Sequence, residues 1–292
     1  MAHVTPERIH IKVGGTELGA LRWRGRAGTP LAIAIHGITA NAWCWAAVAR
    51  HLDGQIGFVA VDLRGRGASC AAPGPFGIRS HANDLAAVIR GLSAAPAILV
   101  GHSMGTYVAL DCAEQAPDLV DRIVLVDGGP PVAVPTGLTP SEALDELLGP
   151  AIARLRRVWP DRVSYHQMWA QHPAFAGGLT PEIERYVLSD LEECNGGFRS
   201  NVSEEAVTFD GTEMFTDQSV RTLIDRVAMR LSMIRAESGI LAGPPPFVAS
   251  SAAERYPQHD WQTIAGTNHY SILIGEAGAE AIACAILLNS RS

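Results

Sequence analysis

The sequence predicts an α/β fold: a mostly parallel, doubly wound sheet with a helical insertion. Three observations carry this. Short runs rich in Val, Ile and Leu alternate with stretches of helical character. The runs are nearly continuously apolar, as parallel strands buried on both faces must be. From about Pro130 to Asp225 the alternation stops, and helical patterns with Pro and Gly punctuation replace it.

In order, "ERIHIKV" and "TELGALRWRG" read as an opening hairpin turned at Gly14-Gly15. "LAIAIHG" (31–37), "GFVAVDL" (57–63), "AILVGHS" (97–103) and "RIVLVDG" (122–128) are the buried strands. Helices are expected near 43–52, 80–92 and 104–115. Strand–helix–strand repetition argues for a doubly wound sheet. "TPSEALDELLGPAIARLRRVW" (139–159) opens with a capping box, Thr139 and Glu142, and with Pro140 at the first helical position. Strand character returns at "RLSMIRAE" (230–237) and "DWQTIAG" (260–266), before a final helix from about Ala277 to Leu288. The expected organisation is a core domain of residues 1–130 and 226–292, interrupted by a helical cap domain of residues 131–225.

Composition narrows the function classes. A net charge of −7 with scattered Lys and Arg argues against nucleic acid and anionic membrane as partners. Five widely spaced cysteines with no CxxC pair suggest neither a disulfide framework nor a zinc site, and fit a reducing compartment. The opening "MAHVTPERIH" lacks the apolar core of a signal segment, and no run approaches the length of a membrane span, so a cytoplasmic protein is expected. With neither H-E-x-x-H nor a carboxylate cluster, no metal or cofactor is expected.

The chemistry is concentrated in "GHSMG", residues 101–105, between a strand and a helix. In that context Ser103 reads as a nucleophile on a strained turn, with the backbone N–H of Met104 at the helix start facing a developing oxyanion. A serine nucleophile needs a base. Of ten histidines, His269 in "AGTNHYSIL" stands best, in a loop between the last strand and the C-terminal helix. His102 adjoins the serine but is expected to project to the wrong side of the elbow.

"HGIT" after the third strand, "DLRGRGAS" after the fourth, "GHSMG" after the fifth and "NHY" near the end together resemble the α/β-hydrolase superfamily over nearly the whole chain. The resemblance implies an α/β-hydrolase fold and a second oxyanion donor, the N–H of Ile38 after His36-Gly37. Arg64, Gly65 and Gly67 are expected to build a structural turn, and Asp62 comes too early to be the acid. In this superfamily the acid more often follows the later strand, yet here that turn reads Ala236-Glu237-Ser238-Gly239 and lacks the usual aspartate. Asp127, ending "RIVLVD", is favoured as the acid that orients the histidine, with Glu237 as the alternative.

The expected reaction is hydrolysis of a carboxylic ester or lactone through an acyl-enzyme. Alternatives are carbon–carbon bond hydrolysis, cofactor-free perhydrolysis or, in another class, a ligand-binding receptor of the same fold. The substrate is expected to be a small molecule with an apolar acyl or ring part. Expected contacts are His36, Gly37 and Trp43 from the core, and Leu147, Leu148, Ile152, Leu155, Trp159, Trp169 and Phe175 from the cap.

Overall fold

The computed structural model describes residues 5–288; Met1–Val4, part of the opening stretch read above, lie outside them. Strands β1 (Glu7–Val13) and β2 (Thr16–Trp23) pair antiparallel around the Gly14-Gly15 turn. They join β3 (Leu31–Ile35), β4 (Gly57–Val61), β5 (Ala97–His102) and β6 (Val120–Val126) in one sheet. A hairpin of β7 (Leu191–Cys194) and β8 (Gly197–Ser200) stands apart. The main sheet closes with β9 (Ser232–Ala236) and β10 (Asp260–Ile264). Its order is β1-β2-β4-β3-β5-β6-β9-β10, parallel throughout except where β1 meets β2 and β2 meets β4. This is the α/β-hydrolase fold.

Alternation along the central strands splits the core in two. Helix α1 (Ala46–Leu52) lies on one side of the sheet, whereas Leu99 of β5 and Leu125 of β6 face the opposite layer, built chiefly on α2 (Ile78–Gly91) and α3 (Met104–Gln115). Ile98, Val100, Val124 and Val126 face the first side, against α1 and the C-terminal helices. Both faces are covered, so the central strands hold no polar face and read as continuous apolar runs.

Between β6 and β9 the chain forms α4 (Pro140–Arg156), α5 (Arg162–Ala170), α6 (Pro181–Leu188), the β7–β8 hairpin, α7 (Glu204–Thr216), α8 (Gln218–Arg221) and α9 (Leu223–Arg226). The Thr139–Glu142 capping box forms as its spacing predicts. The hairpin is a difference from the all-helical expectation. Its strands are four residues each and carry charged Glu192, Glu193 and Arg199, so no apolar alternation announces them. Short α10 (Ala252–Arg255) precedes β10, and α11 (Ser271–Ile274) and α12 (Glu276–Leu287) end the described chain. Among the described residues no helix is long and apolar enough to cross a membrane.

Candidate active site

Ser103 links the end of β5 to the start of α3 with φ 52° and ψ −120°, a conformation that an L-residue holds only where its surroundings enforce it. The enforcement is visible. Ser103 N–H donates to the Val126 carbonyl at 3.0 Å, and the Thr106 N–H returns to the Ser103 carbonyl at 3.0 Å. The glycines allow the approach of helix to strand: a Cβ on Gly105 would stand 2.2 Å from the Ile35 carbonyl oxygen. Met104 is the first residue of α3, so its N–H has no acceptor within the helix.

Asp127 follows β6 and also has positive φ, 44°. Its N–H donates to the Ile234 carbonyl at 2.7 Å, which fixes it between the ends of β6 and β9. There its Oδ2 stands 2.7 Å from His269 Nδ1, and its Oδ1 accepts from Ala236 N–H at 3.1 Å. The carboxylate is fully buried. His269 itself rides on a pinned loop. Asn268 accepts from the N–H groups of Tyr270 and Ser271 at 2.9 Å each and donates to the Ala174 carbonyl at 3.1 Å. The Phe247 ring lies 4.4 Å from the imidazole, centroid to centroid. Glu237, by contrast, is exposed, and its carboxylate accepts from Gly266 N–H at 2.9 Å. Of the two carboxylates, the fold brings Asp127 to His269 and leaves Glu237 at the surface.

His102 departs from the expectation. Its ring lies 4.8 Å from that of His269, it lines the same cavity, and its Nε2 donates to the His269 carbonyl at 3.0 Å. Burial, and then the neighbouring His269, push its pKa well below the usual value, so it stays neutral.

His36 is also relocated. It is fully buried behind the cavity instead of lining it. Its Nδ1 donates to the Gly37 carbonyl at 2.7 Å, and its Nε2 accepts from Leu63 N–H at 3.0 Å. Both nitrogens are committed to opposite roles, and burial lowers the pKa to about 3, so the ring is a neutral strut. The Gly37 carbonyl shares a peptide plane with Ile38 N–H, so the strut also sets the direction of that N–H.

A cavity of about 80 Å³ opens beside Ser103 and His269. Gly37, Ile38 and Thr39 form one wall, Leu147, Leu148 and Ala151 of α4 another, and Met214 and Phe215 of α7 a third. Tyr186, Tyr270, Ile240 and Phe247 also reach it, and none of these four was picked out from the sequence. Tyr186 follows a charged Glu-Arg pair on a short helix, while Ile240 and Phe247 sit in a Gly- and Pro-rich loop with no periodic signal. The three tryptophans expected at the site lie elsewhere. Trp43 lines a separate groove on the outside, under the Arg185 guanidinium at 4.9 Å. Trp159 is buried against Tyr165, with its backbone paired to Phe198 at 2.7 and 2.8 Å. Trp169 is packed among Tyr165, Phe175 and Tyr270. Trp159 and Trp169 fill buried space within the insertion, where a large ring excludes more water than it would in a small cavity.

No Lys or Arg lines the cavity among the described residues. Arg154 donates to the Tyr165 hydroxyl at 3.0 Å and stands 3.7 Å from Asp190, so its charge is compensated within the insertion. Arg156 pairs with Glu204 on the surface, and Arg157 lies over the Trp159 ring. Among the described residues no group of three or more His, Cys, Asp or Glu side chains is placed to hold a metal ion.

A family model described as the alpha/beta hydrolase fold matches residues 30–174. The chain is 35% identical over 127 residues to 2-(acetamidomethylene)succinate hydrolase of Mesorhizobium japonicum, covering 44% of this chain and 43% of that one. It is 35% identical over 146 residues to lipase LipV of Mycobacterium tuberculosis, covering 47% and 54%. The chain thus spans about half the length of these curated relatives. The crystal structure of E-2-(acetamidomethylene)succinate hydrolase superposes with a TM-score of 0.80 at 24% identity, over 97% of this chain and 98% of that one. The thioesterase domain from the curacin biosynthetic pathway gives 0.71 at 21%, over 97% and 99%. At such identities the structural likeness is one of fold.

Proposed function

We propose that this chain is a member of the α/β-hydrolase superfamily that hydrolyses an uncharged carboxylic ester or lactone through an acyl-enzyme on Ser103. The observation that carries the reading is the 2.7 Å contact of Asp127 with His269 Nδ1, in a loop that lines one cavity with Ser103. Asp127 accepts the Nδ1 proton, leaving Nε2 free to take the proton of Ser103 as it attacks the carbonyl. The backbone N–H groups of Ile38 and Met104 receive the oxyanion. His269 then protonates the leaving group, and a water activated by the same imidazole releases the acid. Asp127, buried and fixed by Ala236, stabilises the imidazolium that forms.

The walls set the substrate class. The cavity is small and chiefly apolar, which suits a short acyl chain or small ring. The Mesorhizobium relative acts, by its name, on a substituted succinate. The lining here offers no guanidinium or ammonium to meet such charges, which favours an uncharged acyl part. The insertion acts as a cap, since α4 and α7 supply the walls over Ser103.

The test is turnover of p-nitrophenyl acetate, butyrate and dodecanoate by wild type and Ser103→Ala. Wild type is expected to prefer the shorter esters, and Ser103→Ala to lose about 10⁴-fold or more in kcat. Equal rates for the two proteins refute the serine mechanism and bring carbon–carbon cleavage or ligand sensing forward.

A further inference from the structure

A buried ion pair joins the insertion to the peptide that receives the oxyanion. Arg66, in the loop after β4, is completely buried. Its Nε donates to the Ile38 carbonyl at 3.0 Å and its Nη1 to the Arg64 carbonyl at 2.9 Å. The remaining Nη2 stands 2.7 Å from Oδ2 of Asp210, on α7. Asp210 is equally buried; its Oδ2 also accepts from His81 Nε2 at 2.9 Å, and its Oδ1 accepts from Gly77 N–H at 2.7 Å. Glu213, one turn on, accepts from Ile78 N–H at 2.8 Å. The two carboxylates of α7 thereby cap the N-terminus of α2, whose own N-cap residue Gly77 has no side chain to do so.

The same helix meets Ile38 from the other side. A Cβ added to Gly211 would stand 3.4 Å from Ile38 Cδ1, so the side chain of Ile38 packs under α7 while its carbonyl is held by Arg66. His36 fixes the peptide before Ile38, through the Gly37 carbonyl, and Arg66 fixes the peptide after it. Residue 38 is clamped at both ends, and one of the two clamps is anchored in the insertion. A lysine could supply the charge at position 66. It could not donate to two carbonyls from a planar fork while also holding its charge against the carboxylate.

We propose that Arg66 is a positioning residue for the oxyanion-binding N–H of Ile38, and that its ion pair with Asp210 makes that alignment depend on α7 being seated over the cavity. The enzyme would then assemble its oxyanion site only when capped. This rests on the serine-hydrolase reading above. It predicts a role that the motif "DLRGRG" does not disclose, since Arg66 touches no reacting atom.

The test compares Arg66→Gln, Asp210→Asn and the double variant with wild type. The readouts are p-nitrophenyl butyrate hydrolysis, inhibition by a trifluoromethyl ketone that forms an oxyanion adduct with Ser103, and thermal unfolding. Arg66→Gln is expected to lower kcat about 10–100-fold, because a small misalignment of a donor is costly. KM should stay within about twofold, and the ketone Ki should rise in step with the loss of kcat. Asp210→Asn leaves a buried guanidinium unpaired and should melt lowest. The double variant removes both charges and should recover much of the melting temperature while kcat and Ki remain impaired. Recovery of kcat along with stability, or a rise in KM with kcat unchanged, would overturn the proposal. If wild type itself neither hydrolyses the ester nor binds the ketone, the hydrolase reading fails separately. Amide hydrogen exchange over Ile38–Ala40 then decides the coupling: faster exchange in Arg66→Gln supports it, and unchanged exchange overturns it.

Discussion

Replacing Asp127 by asparagine is a sharper perturbation here than its modest change in shape suggests. Asparagine tolerates the left-handed backbone that Asp127 adopts at φ 44°, so the turn should survive. The orientation of the new amide is dictated by Ala236, whose N–H donates to Oδ1 at 3.1 Å and requires an oxygen there. The amide nitrogen must therefore take the Oδ2 position, 2.7 Å from His269 Nδ1. An N–H donor at that place forces Nδ1 to accept, which moves the imidazole proton to Nε2, the nitrogen that must receive the proton of Ser103. The wrong tautomer in a serine triad costs about 10⁴-fold in kcat, or roughly 5 kcal/mol of transition-state stabilisation. The assay is p-nitrophenyl butyrate hydrolysis at neutral pH, with near-native melting as the control for folding. Glu237→Gln should leave kcat within about threefold, since that carboxylate is exposed and bonds only a turn N–H. A near-normal Asp127→Asn combined with a collapsed Glu237→Gln would refute the assignment of the acid.

Two further outcomes test the scaffold beneath the site. Gly105→Ala should cost at least about 1–3 kcal/mol and much of the activity, because its Cβ would stand 2.2 Å from the Ile35 carbonyl oxygen and α3 would have to shift; urea unfolding checks the first and ester turnover the second. The pH dependence of stability tests two buried groups of opposite sign. His36 falls from 6.5 unfolded to about 3 folded, so its contribution is complete above pH 6.5 and is lost as pH drops toward 3. Asp62 is raised by burial from 3.8 to about 6, so its contribution is complete below pH 3.8 and is lost as pH rises through 6. Between about pH 4 and 6 the two slopes cancel, each being about 1.4 kcal/mol per pH unit. Asp62→Asn removes one of them, and its unfolding free energy should fall by up to about that slope as pH drops from 6 to 4. Parallel curves for variant and wild type would show that Asp62 carries no such slope.

Position in the chain made some elements legible and hid others. The central strands announce themselves because burial on both faces leaves only apolar residues in them, as in Ile98–Val100 and Ile123–Val126. Ser103 is legible because its strained turn needs small residues at fixed offsets, and those offsets are short. The Trp residues misled for a related reason: size and apolarity mark what is buried without saying against what. Trp159 and Trp169 are buried within the insertion, and Trp43 faces an outer groove.

The fold class, the strand-to-helix turn at Ser103 and the loop position of His269 are legible in the sequence, because all of them depend on local pattern or on order along the chain. Which carboxylate stands beside His269 comes from the folded chain, because that depends on how the ends of β6 and β9 lie side by side. Each carboxylate stands at a strand end, and the order of the chain favours Asp127 without placing either beside the imidazole. The Asp127 N–H bonds to Ile234 and its carboxylate to Ala236, and these contacts turn it toward an imidazole 142 residues away. The joining of Arg66 to Asp210 across the insertion was likewise invisible in sequence, because an ion pair between distant residues leaves no periodicity, and only folding brings its two charges to one buried point.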